Sequence, residues 1–147
     1  MKIRKWLIGA GLVLLAAQIL QPEKNNPPVD TAEEFNTIYN PPAELTSVLK
    51  NACYDCHSNE TKYPWYAYFS PVSWYLNNHI REGREELNFS VWGTYQEEDL
   101  FKILEHVGEK VKEHKMPLSS YTWLHPEAKL TDAQREMIVR WFAAKAG

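Results

Sequence analysis

Beyond residue 40, four stretches repeat apolar side chains at intervals of three and four, the period of a helix with one buried face. In "NPPAELTSVLKNACYDCHSN" the apolar set is Ala43, Leu45, Val48, Leu49 and Ala52. Proline at its head suits a helix start, where the missing N–H had no partner to lose. In "SPVSWYLNNHIREGREEL" the stripe is Val72, Leu76, His79, Ile80 and Gly83, with Ser70 expected as cap and Pro71 as first helical residue. The third helix, "QEEDLFKILEHVGEKVKEHK", carries acids in its first turn and lysines in its last, as the helix dipole favours. Its stripe is Leu100, Ile103, Leu104, Val107 and Val111, and Pro117 stops it. The last, "LTDAQREMIVRWFAAKAG", opens with a capping box formed by Thr131 and Gln134 and should bury Ala133, Met137, Ile138, Trp141 and Phe142. No segment alternates in the manner of a strand. The fold class is all-α, with long ordered loops.

The first 20 residues follow another pattern. "MKIRK" is basic, and Trp6 to Leu20 is apolar except for Gln18. This is the layout of an export signal. The run is 15 residues long, against about 20 for a free-standing span. It lacks both an Ala-x-Ala cleavage site and a lipobox cysteine. A retained signal anchor or transmembrane helix over residues 1–20 is therefore expected, in a bacterial inner membrane. The basic residues stay inside and the domain faces the periplasm. Residues 21–40, with three prolines and no apolar period, read as a flexible tether, and residues 41–147 as the folded domain.

Charge narrows the partners. Setting aside Lys2, Arg4 and Lys5 takes the net charge from −3 to −6, and no basic patch suited to nucleic acid is visible. Aromatics make up 13% of the chain, more than a minimal core needs, and would suit packing around a large flat apolar object.

The two cysteines, Cys53 and Cys56, are the only ones in the chain, and His57 follows at once. A redox pair of the thioredoxin type needs a βαβ setting and a helix N-terminus; here the pair closes a helix in an all-α chain. Structural zinc needs four ligands, and His79, His106, His114 and His125 are scattered singly. A disulfide three residues apart would constrain the unfolded chain little. Covalent haem attachment uses every element of Cys-x-x-Cys-His: each thiol adds to one vinyl group, and the histidine ligates the iron. Export fits as well, since c-type haem is matured outside the bacterial cytoplasm.

The helix leading into "CYDCH", a distant Met in a Pro-containing loop and a C-terminal aromatic helix together resemble the class I cytochrome c pattern. More closely, "CYDCHSNET", "YPWYAYFSPVSWYLNNHIREGREELNFSVW" and "KMPLSSYTWLHPEAKLTDAQREMIVRW" resemble the small membrane-anchored haem-binding domain family, over about residues 43–142. The resemblance implies a cytochrome c-like helical domain around one covalent haem c. It implies a monohaem c-type cytochrome that transfers electrons and is not itself an enzyme. The alternative is a haem-based sensor, or a haem subunit of an oxidoreductase complex, with an exchangeable distal ligand. The implied partners are redox proteins at the membrane and the haem maturation machinery.

Within that frame Met116, 59 residues after His57 in "KMPL", is the expected sixth ligand, its soft sulfur raising the reduction potential. His79 and His114 are the alternatives. His106 points away from the apolar stripe of its helix, and Met137 belongs to the core. Arg81, Arg84, Trp92 and Tyr121 are candidate donors to the haem propionates, and the aromatic stretch between Tyr63 and Trp92 is expected to wall one haem edge.

Overall fold

A computed structural model describes residues 2–147. Among them there are helices and turns but no strand. The helices are α1 (Lys2–Ala17), α2 (Phe35–Tyr39), α3 (Ala43–Ala52), α4 (Tyr54–His57), α5 (Val72–Glu86), α6 (Glu97–Lys112), α7 (Ser119–Leu124) and α8 (Asp132–Ala146). Single 3-10 turns at Trp65–Tyr68, Phe89–Thr94 and Pro126–Ala128 join them.

The most extensive helix pairing lays α6 along α8. Leu104 and Val111 from α6 meet Ile138 and Phe142 from α8, and Leu45, Val48 and Leu49 of α3 close the layer. The capping box forms as the sequence predicts, with the Thr131 hydroxyl accepting from the Gln134 N–H and the Gln134 amide accepting from the Thr131 N–H. Two details differ. Ala133 is exposed, because the buried stripe of α8 centres on Ile138 and Phe142, leaving Met137 and Trp141 half-buried. Ser70 does not cap α5: its hydroxyl pairs with the Ser73 hydroxyl at 3.1 Å and accepts from Gln21 Nε2 at 2.9 Å.

The tether expected over residues 21–40 is instead bound to the domain. Phe35 is fully buried, with the rings of Trp92, Phe89, Tyr39, Trp141 and Phe142 at 4.7–5.9 Å. Upstream, Asn25 and Asn26 are clasped by Arg84, which donates to the Asn25 carbonyl at 2.8 Å and to Asn26 Oδ1 at 3.0 Å. The polar composition that suggests a linker supplies the hydrogen bonds that pin the segment down. The domain therefore begins well before residue 40.

The transmembrane expectation also changes. α1 stops at Ala17 and has 16 residues, about 24 Å at 1.5 Å per residue. Among the described residues no helix is long and apolar enough to cross a membrane. The run is cut short by Gln18, whose side-chain amide accepts from the Ser70 N–H and donates to the Ser70 carbonyl, both at 3.0 Å.

Candidate haem pocket

α3 ends at Cys53, whose φ of −125° leaves helical geometry, and a single new turn follows. The N–H groups of Cys56 and His57 both donate to the Cys53 carbonyl, at 3.2 and 2.9 Å, closing the five residues into a compact hook. The two intervening side chains anchor it. Tyr54 stacks on Phe89 at 4.9 Å and donates to Glu34. Asp55 accepts from the Tyr121 hydroxyl at 2.7 Å and the Lys62 N–H at 3.0 Å. With Tyr54 and Asp55 spent on the scaffold, Cys53, Cys56 and His57 are left to line a common cavity of about 640 Å³.

His57 is oriented with care. Its Nδ1 lies 2.7 Å from the Gly83 carbonyl and 3.2 Å from the Leu87 carbonyl. Two acceptors require a proton on Nδ1, so the neutral ring keeps its lone pair on Nε2, the atom a metal would take. Burial pushes the imidazole pKa down, which favours that neutral form. Gly83 makes the approach possible. A Cβ there would stand 2.7 Å from the Cys56 carbonyl oxygen, so α5 could not come this close with any other residue. Burial also raises both thiol pKa values, Cys53 to about 12 and Cys56 to about 11. No disulfide joins the two cysteines.

The rest of the lining is mostly aliphatic. Ile103, Val107 and Val111 of α6 contribute, with Leu118 and Leu130 from the loops. Met116 lines the same cavity as the cysteines. Its segment is held by Arg135, which donates to the Val111 carbonyl at 2.5 Å and the Met116 carbonyl at 3.0 Å.

The remaining candidates divide. His79 lines the cavity, with its Nδ1 held 2.9 Å from the Tyr75 carbonyl. Tyr121 lines it too, but its hydroxyl is given to Asp55. His114 does not: it sits exposed in a left-handed turn (φ 58°) that terminates α6. Nor do the other three expected propionate partners. Arg81 is on the surface bonded to Asn78 and Glu85, Arg84 is turned to the Asn25–Asn26 clasp and the Ser58 carbonyl, and Trp92 is buried among core rings. The arginine donors serve the protein's own groups, and the buried Trp92 indole N–H has no partner among the described residues. In their place stand Lys102, His106 and Lys110, one turn apart on the cavity side of α6. His106, expected to point away, reaches the cavity because the lining takes in the helix face next to the apolar stripe. The spacing of four was the signal that could have found all three. The stretch from Tyr63 to Trp92 supplies His79, Glu82, Gly83, Glu86, Leu87 and Phe89 to the lining, so it does form one wall of the pocket, but of its Trp, Tyr and Phe rings between Tyr63 and Trp92 only Phe89 takes part.

The haem-binding domain family matches residues 12–144. The chain belongs to that family. No curated protein and no solved structure matches it.

The residues of this haem-binding domain fit a haem. The cavity volume falls in the cofactor-sized range of about 300–1,000 Å³, its walls are mainly apolar with Glu82, Glu86, Lys102 and Lys110 among the lining, and its soft or nitrogen donors include two thiols, a tautomer-fixed imidazole and a thioether. Among the described residues no three His, Cys, Asp or Glu side chains converge to hold a bare metal ion.

Proposed function

We propose that this haem-binding domain is a monohaem c-type cytochrome, an electron carrier rather than an enzyme, working on the exported side of a bacterial membrane. The observation that carries the proposal is the hook: Cys53, Cys56 and His57 open into one apolar cavity that Met116 also lines, while the residues between them are locked into the core. Bound there, a covalent haem would supply a one-electron couple. Cys53 and Cys56 are its thioether attachment points, and His57 Nε2 is the proximal ligand, with the ring fixed by the Gly83 and Leu87 carbonyls. Met116 is the distal ligand and favours a high potential. Lys102 and Lys110 offer positive charge, and His106 a ring nitrogen, to carboxylates at the pocket rim. The implied partners are the haem maturation machinery and redox proteins at the membrane.

A second reading rests on His79 and His106, which line the same cavity. Either could replace Met116, giving a bis-histidine carrier or a sensor with an exchangeable ligand. The test is spectroscopic. Acid-acetone treatment should leave the haem on the polypeptide, with the c-type band in the pyridine haemochrome. The oxidised protein should show a sulfur-to-iron charge-transfer band that Met116→Ala abolishes, while opening the iron to carbon monoxide. Loss of all haem into acetone refutes the c-type assignment. A spectrum untouched by Met116→Ala but altered by His79→Ala refutes the ligand.

A further inference from the structure

From Trp6 to Ala17, beyond the basic Lys2, Arg4 and Lys5, α1 is apolar on every side, and most of these residues are exposed. Trp6, Leu7, Leu12 and Leu15 are each more than 60% exposed. A helix apolar on every side needs a non-aqueous neighbour. Its foot is not loose. Gln18, the one polar side chain of the run, is spent on both backbone groups of Ser70. Gln21 bonds the Ser70 hydroxyl, the Trp74 indole N–H donates to the Leu20 carbonyl at 2.6 Å, and Lys24 Nζ lies 4.1 Å from the centre of the Tyr68 ring. The helix is thereby clamped to a segment of the domain that is itself exposed and aromatic: Trp65, Tyr68, Phe69, Trp74 and Tyr75 are 41–74% exposed.

We propose that α1 and this aromatic patch form one lipid-facing surface. α1 enters the apolar layer of a bilayer, and the patch lies at headgroup level, so the domain rests on the membrane in one orientation. Rings with an apolar body and a polar tip, set between an apolar helix and a hydrophilic domain, are the composition of a membrane interface. Lys24, lying over Tyr68, can cover the ring with its stem and keep its charge among the headgroups. A second copy of the chain would be expected to select one stripe of α1, yet from Trp6 to Ala17 the helix has no polar face to leave outside such a contact. The proposal needs α1 to enter the lipid, not to cross it, and it does not depend on how the haem is held. It has a consequence for the pocket: the Tyr75 ring lies 4.1 Å from that of His79, so the His79 wall is the one nearest the membrane.

Phe69 and Phe101 provide an internal comparison, being 56% and 53% exposed on different elements. The full chain, reconstituted as one copy per disc in phosphatidylethanolamine–phosphatidylglycerol nanodiscs, is footprinted with hydroxyl radicals and read by mass spectrometry. Trp65 and Phe69 should be protected while Phe101 is oxidised freely, and Trp65→Ser/Phe69→Ser should lose the protection of Tyr68. Equal labelling of Phe69 and Phe101 overturns the proposal. So does protection that appears only in discs carrying two copies, which would assign the patch to a second chain. Absorbance of the same sample reports the haem independently.

Discussion

Two groups of aromatic residues divide the molecule. Around Phe35, the rings of Tyr39, Phe89, Trp92, Trp141 and Phe142 pack edge-to-face or stacked within 6 Å. Around the foot of α1, Trp65, Tyr68, Phe69, Trp74 and Tyr75 stand in the open. Composition alone counts both groups alike and suggests a wall for a flat cofactor. The structure gives little of the pocket to either: of all these rings only Phe89 lines it, beside residues of α5, α6 and the loops. The first group holds the domain together and positions the hook through Tyr54 stacked on Phe89. The second contributes little to folding and is free to meet something outside the protein.

That contrast makes graded predictions. Phe35→Ala should destabilise the domain by about 3–5 kcal/mol in chemical denaturation, the usual cost of deleting a fully buried aromatic. A loss below about 1 kcal/mol would return residues 21–40 to the status of a tether. Gly83→Ala comes next. Its Cβ would collide with backbone rather than with a side chain that can move, and overpacking of this kind costs about 1–3 kcal/mol. It should also lower the yield of holoprotein, because α5 carries the carbonyls that orient His57. Thr131→Ala removes the capping box of α8 and should cost about 1 kcal/mol. Trp65→Ser, on the exposed patch, should change stability by less than about 0.5 kcal/mol. A large effect there would erase the distinction between the two groups.

Much of this was legible in the sequence, and the failures have physical causes. The shared cavity of Cys53, Cys56 and His57 could be anticipated because the three stand within five residues, a spacing that suits haem attachment. Met116 could be named because a thioether in a Pro-containing loop stands apart from Met137 on an apolar stripe. Phe35 could not, because it sits in a five-residue helix among acids, too short for any period to show. Donor groups alone point to Arg84 and Trp92 as cofactor contacts. Sequence does not reveal that one is occupied by the backbone of residues 25 and 58 and the other is enclosed by rings. Gly83 was visible as a stripe member, but only its distance to the Cys56 carbonyl shows why a side chain cannot stand there.

The central claim is that Cys53 and Cys56 hold the haem covalently, and one measurement addresses it most directly. Trypsin should release residues 51–62, "NACYDCHSNETK", as a single peptide. In protein matured by a c-type haem assembly host, mass spectrometry of that peptide should find one haem attached. In Cys53→Ala/Cys56→Ala the same peptide should appear without haem, and any haem still bound should extract into acidified acetone. A haem-free peptide 51–62 recovered from protein that carries its full haem absorbance would contradict the account.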